Sequence, residues 1–168
     1  MKRLVADAGP LLHLHEAGGL HLFPLIGEVA APPAVLAEVR VHAPALWTAA
    51  LPSWLKVISL SPTAAQRAAA WRGAGVLHAG EAEALAFAQE NRPDWFITDD
   101  AAARLVAESL GIESHGSLGI VLWAAARKFI GKPEADALLT GLEQSSLWIS
   151  PLVRKRVRVA LADIFPTA

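Results

Sequence analysis

Trp95-Phe96-Ile97-Thr98-Asp99-Asp100 is apolar and then abruptly doubly acidic, and the helix-forming run Ala101-Ala102-Ala103-Arg104 follows it. The pattern predicts a buried strand that ends at a turn with carboxylates at its C-terminal tip. The N-terminus repeats the arrangement, with the short apolar run Leu4-Val5-Ala6 closed by Asp7. In a parallel α/β sheet both tips lie on one edge, where ligands bind. The rest of the chain reads as a scaffold that brings these two acidic tips together.

Working outward, strand one is expected over Lys2 to Asp7, then a turn at Ala8-Gly9-Pro10 and a helix from Leu11 to Ala17, broken at Gly18-Gly19. A short helix over Leu20 to Leu25 and a minimal strand at Val29-Ala30 come next. Pro32-Pro33 opens a helix whose apolar face is Val35, Leu36 and Val39 and which carries Glu38. Ala43 to Ser53 is expected to be helix, then turn. Leu55 to Leu60 is strand three, and Ser61-Pro62 starts a helix to about Trp71. An Ala-rich helix begins at Gly80-Glu81 and ends at Arg92-Pro93. Strand four is Asp94 to Thr98, and the helix after it ends at Gly111, a left-handed cap. Strand five is Ile112 to Ser114. Helices follow from Gly116 to Ile130, from Gly131-Lys132-Pro133 to Gln144, and from Ser150-Pro151 onward. Strands alternating with helices imply a mostly parallel sheet covered on both faces.

The chain has 168 residues, the size of one ordinary domain with a single sizeable core. We expect that one domain to span residues 1–168, with 151–168 as a basic C-terminal helix. The 54% hydrophobic content requires heavy burial or an oligomer interface. There is no cysteine, which excludes disulfides, thiolate nucleophiles and cysteine-ligated zinc and agrees with a reducing compartment. Met1-Lys2-Arg3 runs straight into strand one, so no secretory signal is expected. No apolar run approaches the roughly 20 residues that span a bilayer. The expectation is a soluble cytoplasmic protein. The net charge of −1 makes the whole molecule no obvious polyanion binder. The charge is uneven, however, because Arg154, Lys155, Arg156 and Arg158 cluster near the C-terminus.

Asp7, Glu38, Glu81 and Asp99 or Asp100 form the candidate constellation. Hard cations such as Mg²⁺ take oxygen ligands and keep waters that can be used or oriented. Several carboxylates in one cleft repel unless a cation neutralises them. Each acid also has an ordinary structural reading. Asp99 or Asp100 can cap the following helix, Glu81 sits in a first helical turn, and Glu38 can be a solvated helix residue. Asp7 is the hardest to dismiss, since it ends a buried strand and lies too far before Pro10 for a simple cap. Glu81 and Glu83 do not share a helix face, so at most one should reach a common site. His13 and His15 point to different sides of their helix, which argues against a shared zinc. There is no phosphate loop, dinucleotide fingerprint or serine elbow.

Taken in order, the motifs resemble those of the PIN-domain nucleases, the family that includes the VapC toxins. The matching pieces are Asp7-Ala8-Gly9-Pro10-Leu11-Leu12; Pro32-Pro33-Ala34-Val35 with Glu38-Val39; Gly80-Glu81-Ala82-Glu83-Ala84; Ile97-Thr98-Asp99-Asp100 with Arg104; and Leu110-Gly111-Ile112 with Gly116-Ser117-Leu118-Gly119. The similarity runs from about residue 2 to residue 150. It implies a three-layer α/β fold with a mostly parallel five-stranded sheet in the order 3-2-1-4-5 and helices on both faces. It also implies Mg²⁺- or Mn²⁺-dependent cleavage of single-stranded RNA, with Asp7, Glu38, Glu81, Asp99 and Asp100 as catalytic, metal-binding acids. Arg104 would orient an acid or meet a phosphate. The cluster Arg154, Lys155, Arg156 and Arg158 lies beyond the similarity; by its charge it is the candidate RNA contact, although such a run is more often a solvated helix face. A homodimer and, for a toxin, an antitoxin partner are implied as well. Two departures bear on activity. Many VapC-like members have aspartate where this chain has Glu81, and Ser or Thr where it has Ala8. The alternative reading is a non-catalytic PIN-like module that binds nucleic acid or protein.

Overall fold

The structure is a computed structural model and describes residues 1–166. In chain order the elements are β1 (Lys2–Ala6), α1 (Ala8–Glu16), a 3-10 turn (Leu20–Leu22), α2 (Phe23–Ile26), β2 (Gly27–Ala31), α3 (Pro33–His42), β3 (Leu55–Val57), α4 (Pro62–Gly73), α5 (Ala79–Asn91), β4 (Trp95–Ile97), α6 (Ala101–Ser109), β5 (Ser114–His115), α7 (Ser117–Ala126), α8 (Lys132–Gln144) and α9 (Pro151–Ile164). The five strands form one sheet in the order β3-β2-β1-β4-β5, and every pairing is parallel. The sheet is therefore all-parallel in the order expected from the sequence. No described helix is long and apolar enough to cross a membrane.

Burial explains why the sheet is covered on both faces. Leu4, Val5 and Ala6 are consecutive and point alternately to opposite faces, yet all three are buried. Trp95, Phe96 and Ile97 on β4 behave the same way. Only helices on both sides can bury such runs. α1 packs against α3, α7 and α8, while α5 packs against β1, α3, α4 and α6. β1 is central. Leu4, Val5 and Ala6 pair with Trp95, Phe96 and Ile97, and Lys2 to Val5 pair with Gly27 to Ala30. Gly27 has a steric reason to be glycine, because a Cβ there would lie 1.8 Å from the Lys2 carbonyl oxygen.

Several expected boundaries move. α1 begins at Ala8 rather than Leu11, because Asp7 caps it by accepting the Gly9 N–H at 2.9 Å. Pro10 sits in the first turn, where its missing N–H costs nothing. The helix expected within Ala43–Ser53 is absent, and the segment is a series of turns. Ala43 precedes Pro44, which disfavours helical backbone at Ala43, where φ is −136° and ψ 68°. Aromatic burial then fixes the path: Trp54 stacks on Phe23 with centroids 5.2 Å apart, and Trp47 meets Trp54 edge-on at 6.1 Å. β5 lies at Ser114–His115, two residues later than expected. α7 stops at Ala126 rather than Ile130, because Lys128 takes a left-handed conformation with φ 61°.

Candidate functional site

Two parallel strands and three helix N-termini place the acids. Asp7 follows β1 directly, and its N–H donates to the Ile97 carbonyl at 3.0 Å, so the β1–β4 ladder runs into the site. Thr98, beside it on the β4 side, donates its hydroxyl to Asp7 Oδ2 at 2.5 Å. Asp7 is 4% exposed. Burial is the main reason its carboxyl is pushed up from 3.8 to about 7. The Thr98 and Gly9 hydrogen bonds oppose that rise, and the charges of Glu81 and Asp99 add to it.

The neighbours Asp99 and Asp100 have different tasks. Asp100 caps α6, taking the Ala103 N–H on Oδ1 at 2.7 Å. Asp99 reaches across to α1 and α7. His13 Nδ1 lies 2.7 Å from Asp99 Oδ2, the Ser117 N–H donates to Oδ1 at 2.7 Å, and the Ser117 hydroxyl donates to Oδ2 at 2.6 Å. Arg104 donates to the Thr98 carbonyl at 3.0 Å from one turn into α6. Gly116 keeps this corner open, since a Cβ there would stand 2.6 Å from Asp99 Oδ1 and 2.7 Å from Arg104 Nη2.

Glu38 and Glu81 come from the other side of β1. Glu38, on α3, accepts the Gly80 N–H at 3.0 Å in the first turn of α5. Gly80 permits that approach, because its Cβ would lie 2.9 Å from Glu38 Oε1. Glu81 folds back to accept the His78 N–H at 2.9 Å. Burial pushes the Glu81 carboxyl up, the His78 N–H opposes, and the charges of Asp100 and Glu38 raise it further. Glu83 turns away and accepts the Ala34 N–H at 3.3 Å, tying α5 to α3. Only one of the pair thus joins the acids, as their spacing requires.

Asp7, Glu38, Glu81, Asp99 and Asp100 therefore share one electrostatic neighbourhood at the C-terminal edge of β1 and β4. Each is held by a protein donor, and among the described residues no group of three His, Asp or Glu side chains is placed to hold one metal ion. The donor chemistry still fits a hard divalent cation: the set is all carboxylate oxygen, and two of its members are pushed up by burial first and by the charges of the others after it. The basic cluster is divided. Arg158 is committed to α8, donating to Glu143 at 2.8 and 3.0 Å, to Asp136 at 3.2 Å and to Thr140 at 3.1 Å. Arg154 lies 3.8 Å from the Glu143 carboxylate. Lys155 and Arg156 are exposed.

The chain matches the model of a family described as a PIN domain over residues 3–162. The chain belongs to the PIN-domain family. No curated protein matches it. The all-parallel sheet and the acidic edge agree with that membership, and the fold is of the nuclease type. Three residues that hold this PIN domain's acids were not singled out from the sequence. Thr98 reads there as ordinary strand, and Ser117 as part of a helix start. His13 reads there only as half of a zinc pair with His15. The signal for His13 was the true start of α1: from Ala8, position 13 lies i+4 from Gly9, on the face toward Asp99.

Proposed function

We infer that this PIN domain is a metal-dependent endoribonuclease that cleaves single-stranded RNA. The observation that carries the reading is the gathering of Asp7, Glu38, Glu81, Asp99 and Asp100, from separate stretches of chain, around a buried carboxyl raised to about 7 by burial and by neighbouring acids. Proteins seldom gather that many carboxyl groups around a buried one without a use for them. Asp7 and Asp99 would be the principal ligands of Mg²⁺ or Mn²⁺, with Glu38, Glu81 and Asp100 completing the set directly or through water. Such an ion, when bound, activates water and offsets charge developing on phosphate. The chain's own contribution is to hold the carboxylates ready. Gly9 and Thr98 fix Asp7, and His13 and Ser117 fix Asp99. Arg104 stands beside Asp99, where a guanidinium can meet a phosphate. In this reading the protein is a cytoplasmic homodimer, and a toxin of VapC type would have an antitoxin as its partner.

One observation favours a second reading. Each acid already accepts a protein hydrogen bond, and no three are placed around one ion among the described residues. A non-catalytic module that binds nucleic acid or protein would need nothing more. Cleavage of single-stranded RNA by wild type and Asp7→Asn, with Mn²⁺, with Mg²⁺ and with EDTA, separates the two. Metal-dependent cutting that the substitution abolishes supports the nuclease. Equal cutting by both proteins rules out this mechanism, and RNA binding in EDTA without turnover under any condition favours the module.

A further inference from the structure

α6, α7 and α9 leave a groove of about 690 Å³ between them. The sequence explains why it is hollow. α6 turns the stripe Ala101, Arg104, Leu105 and Glu108 toward it, and α7 the stripe Leu118, Gly119 and Leu122. Gly119 has no side chain, so the floor is low: a Cβ there would meet only His115, at 3.7 Å. Val153 and Val157 of α9 form the far wall. The lining is mostly apolar and its charges are mixed, with Asp99 and Glu108 against Arg104. Leu105 is 68% exposed and Val153 39%, so large apolar side chains stand in water here.

Trp148 lines the same groove from the connection between α8 and α9 and is 82% exposed, so most of its surface projects out of it. The backbone that carries it is well anchored. Glu16, at the C-terminal end of α1, accepts the Ser146 N–H at 2.6 Å and its hydroxyl at 2.7 Å. The Ser145 hydroxyl takes the Leu147 N–H at 3.1 Å, and Ser150 caps α9 by accepting from Val153 at 3.2 Å. Leu147 and Ile149, on either side of Trp148, pack on the core. Burying a large aromatic held on so fixed a backbone costs little further order. One patch thus carries both a knob and a hollow. It also carries both signs of charge. Arg104 and Glu108 are one turn apart on α6, both are exposed, and neither has an ion pair among the described residues.

We propose that this face is the contact between two copies of the chain related by a two-fold axis, with Trp148 of each copy seated in the groove of the other. A two-fold contact uses one patch twice, so the patch must complement itself. This one does: the knob meets the hollow, and Arg104 of one copy meets Glu108 of the other. A polyanion would meet two acids and one base in the lining, and a small apolar molecule in the groove would leave Trp148 in water. A central aromatic anchor in an apolar patch with charges about it is the usual anatomy of a protein–protein contact. The 54% hydrophobic content, high for one domain, finds part of its use in such an interface. The proposal rests on the nuclease reading only for the expectation of a homodimer, and the contact itself does not depend on cleavage.

Sedimentation equilibrium of the full chain over a concentration series tests it. The wild type should be a dimer. Trp148→Ala should raise its dissociation constant about 30-fold or more, the loss expected of an interface anchor. Gly119→Phe, which fills the groove from its floor, should do the same, whereas Gly119→Ala should leave the dimer intact. Glu108→Arg should weaken it, because like charges then face each other. Unchanged far-ultraviolet circular dichroism shows that each variant folds, as the exposure of Trp148 and the open space at Gly119 predict. A wild type that is monomeric at every concentration overturns the proposal. So does a dimer that survives both Trp148→Ala and Gly119→Phe, since its contact then lies elsewhere. The two readings fail separately. A monomeric wild type that cuts RNA with metal removes the interface and keeps the nuclease. A dimer that Trp148→Ala separates, where wild type and Asp7→Asn cut RNA equally, removes the nuclease and keeps the interface.

Discussion

Asp7 carries two roles that a single carboxylate seldom combines. It caps α1 through Gly9, and it is the most buried of the acids, with its proton held to about pH 7. The folded state therefore keeps a proton that the unfolded chain releases near pH 3.8. Between about pH 4 and pH 7 the native state binds more protons, so wild-type stability falls as pH rises through that window. At 1.36 kcal/mol per pH unit the full effect is about 4 kcal/mol as an upper bound. Asparagine keeps an oxygen for the Gly9 N–H, and Thr98 can turn its hydroxyl to accept from the amide. In EDTA, Asp7→Asn should thus be the more stable protein at pH 8, with the gap closing toward pH 4, while RNA cleavage is lost. Urea melts of both proteins across that range check it. A substituted protein that is less stable at pH 8 would show that the buried charge is fully compensated.

At the level of elements, the site depends on what the helix starts leave out. Gly116 caps α7 with φ −104° and ψ 178°, a conformation open to alanine. The obstacle is the space taken by Asp99, Arg104 and, at 3.3 Å, the Thr98 carbonyl. Gly116→Ala should therefore fold, with stability lowered by roughly 1–3 kcal/mol from overpacking. If the nuclease reading holds, kcat/KM on RNA should fall tenfold or more, because Asp99 and Arg104 are displaced together; undiminished turnover would mean that neither position matters. The same elements show what a sequence discloses. Gly111 was legible as a left-handed helix end, and it is one: φ is 67°, with Ile112 donating to Ala107 at 2.9 Å and Gly111 to Glu108 at 3.0 Å. α7 ends in the same motif, with Phe129 donating to Ala124 and Lys128 to Ala125, each at 2.9 Å. There lysine occupies the left-handed position, and no local signal announces it. The cap at Asp7 is hidden for a related reason, since proline in a first turn looks like a helix start and masks a cap three residues before it.

Across the whole molecule, the strand order and the acidic edge were legible because they depend on periodicity and on where each strand stops. The use of the C-terminal bases was not, because that depends on which side of α9 meets α8. One cluster in sequence becomes two groups in space. Arg158 faces Asp136, Thr140 and Glu143, whereas Arg156 is exposed. The two should separate cleanly by experiment. Removing Arg158 takes one partner from each of two acids on α8, leaving Asp136 to Lys132 and Glu143 to the more distant Arg154, at a cost of about 1–2 kcal/mol for half-exposed charged hydrogen bonds. That corresponds to a melting temperature lower by about 3–6 °C for a domain of this size. Arg158→Ala should leave the salt dependence of oligonucleotide binding unchanged, because its charge is already satisfied within the protein. Arg156→Ala should leave melting unchanged and reduce the slope of log K against log salt by about 0.7, the value for one phosphate contact on a single strand. If Arg158→Ala instead flattens the slope while melting stays the same, the ion pairs between α8 and α9 are too weak to withhold that arginine from RNA. The nucleic-acid surface would then extend along α9.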